Sequence, residues 1–118
     1  MSLAAIGHLI GTGTWVSGSV FTNPLNGDVV VDTGALGAGE YLFAICGGGS
    51  VAYTYDAEHR NAANDANIDA QRRYCAAGNE DFIFPCKLTL AANQRLRVSL
   101  VGNITGALQL SIFVLEVG

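Results

Sequence analysis

The sequence predicts an all-β protein, a sandwich or barrel of about eight short antiparallel strands. Three observations carry this expectation. Apolar and polar, or large and small, residues alternate with a period of two over several runs, as in a strand with one buried face. Fifteen glycines, with Asn-Pro and Asn-Gly turn signals, punctuate those runs at short intervals. The one helical rival, Asn61 to Tyr74, is alanine-rich but flanked by strand patterns, which allows one helical turn at most.

Residues 1–12 are apolar, glycine-punctuated and without clear period, and read as an extended arm ahead of a single domain over 13–118. Thr14 to Phe21 is the first expected strand, closed by Asn23-Pro24 and Asn26-Gly27; Val29 to Val31 is a short β-branched second. Glu40 to Cys46 sets Tyr41, Phe43 and Ile45 against Leu42, Ala44 and Cys46, which places its bulky face in a core. Gly47-Gly48-Gly49 is expected to turn the chain into a hairpin with the strand Val51 to Glu58. A polar crossing, His59 to Asn67, leads to a strand over Ile68 to Cys75. Phe82 to Leu90 alternates again, but Pro85 cannot donate to a ladder and marks an edge or a bulge. Leu96, Val98 and Leu100 oppose Arg95, Arg97 and Ser99, giving a strand with one wet or partner-facing side. Leu108 to Val117 is the last strand.

The chain has 118 residues, enough for one domain with a core that needs no disulfides. Half the residues are apolar and 14% are charged, so some apolar surface is expected to be hidden by a partner, most simply another copy. A net charge of −4 argues against a surface that tracks phosphates, hence no nucleic-acid partner. The first residues lack a basic region, and their apolar run breaks at Gly7 and His8, so export by a signal peptide is not expected. No apolar run approaches the ~18 residues of a membrane-spanning helix, and no membrane partner is expected. Cys46, Cys75 and Cys86 are an odd number without paired spacing; they read as free thiols, with Cys75 and Cys86 the pair that could bridge.

Seven charged residues, of six basic and ten acidic in all, fall between Asp56 and Arg73. This crowded polar crossing is the candidate site, yet no motif for chemistry survives there. Asp65, Asn67 and Asp69 have the spacing that opens a calcium loop, but Ala70 and Ala76 stand where the loop requires Gly and Glu. Neither histidine has metal-ligand spacing from a cysteine, so no metal and no cofactor is expected. His59 has no assignable nucleophile. Asp56 and Glu58 share a strand face, and pairing with Arg60, Arg72 or Arg73 is a better account of them than glycoside hydrolysis. Asn61 and Asn64 suit loop backbone that has no ladder to join. An enzyme is not expected.

Three landmarks combine: Gly39-Glu40-Tyr41-Leu42-Phe43, the crossing Glu58-His59-Arg60-Asn61-Ala62-Ala63-Asn64, and the closing Leu110 to Val117. Over residues 13–117 they resemble small jelly-roll domains of the tumour-necrosis-factor (TNF)/C1q shape, and more narrowly the decoration, or cement, proteins of tailed-bacteriophage capsids. The resemblance implies a jelly-roll β-sandwich and a homotrimer whose subunits pack sheet against sheet, with Phe113, Leu115 and Val117 at the trimer interface. It also implies a non-enzymatic structural protein, made in the host cytoplasm, that binds the major capsid protein on the virion exterior. The alternative is a trimeric recognition head that binds a receptor or glycan through loop tips. Leu3, Ile6, Leu9 and Ile10 of the arm, and Glu58, His59, Arg60, Asn61 and Asn64 of the crossing, are the expected capsid or subunit contacts. Burial at ~25 cal/mol/Å² gives each subunit a modest affinity, and trivalency multiplies it.

Overall fold

The structure is a computed structural model that describes residues 13–117. These residues form eleven strands and no helix. They are β1 (Thr14–Ser17), β2 (Phe21–Thr22), β3 (Val29–Asp32), β4 (Gly39–Gly49), β5 (Tyr53–Arg60), β6 (Asn67–Cys75), β7 (Gly78–Asn79), β8 (Phe82–Ile83), β9 (Leu88–Leu90), β10 (Arg95–Val101) and β11 (Ala107–Glu116).

Two antiparallel sheets face one another. The first runs β1–β11–β4–β7; β2 follows β1 along β11, while β7, β8 and β9 lie end to end along the far side of β4. The second runs β3–β10–β5–β6. With end-to-end pieces taken as one position, each sheet is four strands wide, which is how eleven segments match an expectation of about eight. The strand order is that of a jelly roll. Tyr41, Phe43 and Ile45 of β4 and Leu108, Leu110 and Ile112 of β11 meet Tyr53, Tyr55 and Ala57 of β5 and Leu96, Val98 and Leu100 of β10 in one buried core.

Period-two runs therefore land where expected, and the departures fall at residues that carry no alternation. Gly47-Gly48-Gly49 is not a turn: it completes β4, and the chain reverses three residues later, around Ser50 to Ala52. A Cβ on Gly47 would lie 2.1 Å from the Gln109 carbonyl oxygen, and one on Gly48 would lie 2.2 Å from that of Gly78. Three bare residues let neighbouring backbones close on β4 from both sides. Nor do β4 and β5 form a hairpin, since they belong to different sheets. The first expected strand breaks at Gly18 into β1 and β2, and Gly18 still donates to the Leu110 carbonyl at 3.0 Å. The expected Phe82–Leu90 strand breaks at Pro85 into β8 and β9. All three cysteines are free thiols, Cys75 buried and Cys86 exposed, so no Cys75–Cys86 bridge forms. Burial, with Asp81 beside it, pushes the Cys46 thiol up to about 12.

The two outer faces differ. On the first sheet, Ala44, Phe113 and Leu115 form an apolar cluster with Leu42, Cys46, Ile83 and Val117. On the second, Asp32–Arg95, Glu58–Arg97 and Asp56–Arg72 form ion pairs, so the expected wet side of Arg95 is a half-buried, paired one.

Candidate functional site

The polar crossing is a folded knot built on the last turns of β5. Because side chains alternate along the strand, Asp56, Glu58 and Arg60 leave it on the outer face, while Tyr53, Tyr55 and Ala57 enter the core. Glu58 is 7% exposed, a burial that an ionised carboxylate tolerates only with donors on its oxygens. It has three. Arg97 Nε, directly across the β10 ladder, donates to Oε1 at 2.8 Å, Ser99 Oγ donates to the same oxygen, and Asn67 Nδ2 donates to Oε2 at 2.9 Å. Burial alone would raise the pKa of Glu58; the bonds from Arg97, Ser99 and Asn67 outweigh it, and the carboxyl lies below its ordinary value.

Arg60, 8% exposed, is the second centre. Its Nε donates to Asn64 Oδ1 at 3.0 Å, Nη2 to the Asn64 carbonyl at 2.8 Å, and Nη1 to Asn67 Oδ1 at 2.9 Å. The loop over residues 61–66 is thus wrapped on a guanidinium. Asn64 takes a left-handed φ of 57°, which asparagine tolerates better than most residues. Asn61 holds the loop from its other end: its Oδ1 accepts from the Asp65 N–H at 3.1 Å, and its Nδ2 donates to Asp65 Oδ1 at 2.7 Å. Asn67 joins the centres, accepting from Arg60 and donating to Glu58. Among the described residues Arg60 bonds amide oxygens and no carboxylate, so Glu58 balances its charge through one intervening amide.

Of the expected site residues, the structure brings together Glu58, Arg60, Asn61 and Asn64. His59 lies on the opposite side of β5, where its Nε2 meets Gln94 Oε1 at 2.8 Å. That oxygen also accepts the Ala91 N–H at 2.9 Å, so His59 is the donor and its Nδ1 is left as an acceptor in the neutral ring. Arg72 pairs with Asp56 through two bonds, at 2.8 and 3.1 Å, as the sequence suggested. Arg73 instead lies 4.5 Å from the centroid of the Phe82 ring, between the sheets. Asp65, Asn67 and Asp69 do not converge: they serve Asn61, the two centres of the knot, and the Ala70 amide.

Leu3, Ile6, Leu9 and Ile10 lie outside the described residues. Phe113 and Leu115, expected at a subunit interface, sit on the outer apolar face but are buried within the single chain, and Val117 is half-buried. Trp15 stands edge-on to Phe113, with ring centroids 5.0 Å apart, and is half exposed. Sequence reasoning missed Arg97, Ser99 and Asn67 as members of the knot, and Trp15 as the accessible part of the apolar face. No family model matches the chain, and neither does any curated protein.

Proposed function

We propose that the protein is a non-enzymatic decoration protein that binds a viral capsid lattice as a homotrimer and stabilises it. The observation that carries this reading is the asymmetry of the two outer faces. One is apolar and presents a half-exposed tryptophan; the other satisfies its charges internally through three ion pairs. A domain of this kind covers the accessible part of that face, Trp15, against copies of itself and keeps the paired face outward. The knot around Arg60 and Glu58 is a protein-facing lock that reaches its bound shape before it binds, which lowers the ordering cost of each weak contact. Three such contacts on a symmetric lattice site then act as one. Leu3, Ile6, Leu9 and Ile10 supply the apolar contact to the capsid or to a neighbouring subunit.

Sedimentation at micromolar concentration, followed by co-sedimentation with capsid shells from the same genome, tests the proposal. The expected result is a particle of three 12.3 kDa chains that pellets with the shells. A monomer removes the trimer, and a trimer left in the supernatant removes the capsid.

A further inference from the structure

Strand β6 closes its sheet at one edge. Among the described residues this nine-residue strand pairs with β5 alone. The Ala70 N–H, instead of joining a ladder, donates at 2.9 Å to the carboxylate of the preceding Asp69. The backbone groups of Ala70 therefore point away from β5, and by the two-residue period so do those of Arg72 and Tyr74. Beside this edge lies a cleft of about 90 Å³, in the seam between β6 and the Phe84–Leu88 segment. Phe84, Leu88 and Leu96 line it with apolar surface, and His59, Asp69 and Gln71 add polar groups. A free strand edge offers main-chain donors and acceptors to an extended peptide, and a pocket beside it takes an alternate side chain of that peptide.

The geometry points to the β6 edge and this cleft as the receptor site for residues 1–12 of a neighbouring copy. The segment adds as a strand along β6 and seats one aliphatic side chain in the cleft. Three observations select this occupant. The segment contains no Asp, Glu, Lys or Arg, so it brings no charged side chain to an apolar floor. Twelve extended residues span up to ~40 Å, and the longest dimension of the molecule is 40 Å. Finally, the segment leads into β1, which packs near β3 at the edge of the molecule diagonally across from β6. Its point of attachment to the described chain is thus the corner far from its own β6, and a neighbour's β6 is the edge assigned to it. Repeated head to tail, such a contact closes a ring. The inference rests on the trimer proposed above and names the contact that closes it.

The test replaces Leu3, Ile6, Leu9 and Ile10 by cysteine, one at a time, in the full chain, and oxidises each variant at micromolar concentration. Cys86, exposed at the cleft, is the receiving thiol. At least one variant should give a ladder of covalently joined chains on a non-reducing gel. The ladder should vanish with Cys86→Ser and fall several-fold with Ala70→Pro, whose ring sits on the edge where the Ala70 N–H now points. Sedimentation of the same samples separates the possible failures. A trimer that never joins through Cys86 overturns the edge site and leaves the trimer standing, whereas a monomer that does not join overturns both. A bridge confined within one chain, or a ladder indifferent to Ala70→Pro, also overturns the proposal.

Discussion

At the scale of single residues, Arg60 and Glu58 decide how firmly the crossing is held. Arg60→Ala strips the donor from Asn64 and Asn67 and removes the guanidinium that the loop encloses. Loss of a buried, charge-assisted network of this kind costs roughly 3 kcal/mol, against about 1 kcal/mol or less for the more exposed Arg95, whose contact with Asp32 is 3.4 Å. Urea unfolding of Arg60→Ala and Arg95→Ala reads the difference directly; equal, small losses would make the crossing an ordinary solvated loop. Glu58 sets an acid limit. Its folded-state pKa lies below its unfolded value, so between the two the unfolded chain binds more protons, and stability there rises with pH. Its contribution is complete above the unfolded value near ~4.3 and is lost as pH falls from there through the lower folded pKa. Glu58→Gln should flatten that acid limb in thermal melts between about pH 5 and pH 2. An unchanged limb would assign the acid sensitivity to other carboxylates.

At the scale of elements, legibility followed side-chain alternation. Residues 40–46, 95–101 and 108–117 could be placed, with the correct face inward, because large and small or apolar and polar side chains alternate there. The three glycines of β4 carry no side chain to alternate, and a glycine run has the composition of a turn. What identifies them as strand is the approach of Gln109 and Gly78, which are far away in sequence. Gly47→Ala meets two obstacles: a φ of 134° and a Cβ held 2.1 Å from a backbone oxygen that no rotamer can move. It should destabilise the domain by at least ~2 kcal/mol, or prevent folding altogether. Calorimetry of Gly47→Ala beside Gly37→Ala, where an added Cβ meets only the Tyr41 hydroxyl at 3.9 Å, isolates the effect. Similar melting temperatures would mean the β4–β11 pair can separate to admit a methyl group.

At the scale of the whole molecule, the sandwich and its strand number were readable, while the membership of the knot was not. Asp56 and Glu58 were visible as a charged strand face, and Arg95 and Arg97 as another, while Arg60 was read as part of the crossing although β5 extends to it. Nothing local told that β10 lies against β5 and sets Arg97 opposite Glu58. Asn67 was legible only as a loop residue, although it is the amide that joins the two centres. The apolar outer face, too, exists only once β1, β11, β4 and β8 are assembled. Trp15, half exposed on that face, should govern association. Trp15→Glu is expected to shift sedimentation at micromolar concentration toward the single chain while leaving far-ultraviolet circular dichroism unchanged. An oligomer that survives the substitution would move the interface to another surface.

The bond from Arg97 to Glu58 spans 39 positions of sequence, and that from Ser99 spans 41. Arg60, Asn64 and Asn67 are near neighbours and can find one another early, but the carboxylate beside them has only Asn67 until β10 arrives. Until then water hydrates that carboxylate, and burying it requires the donors of Arg97 and Ser99. The crossing is therefore local in sequence but completed from afar: its carboxylate has all three donors only when β10 lies against β5. A chain that ends before Arg97 has the whole crossing in hand and lacks two of the three donors that hold Glu58.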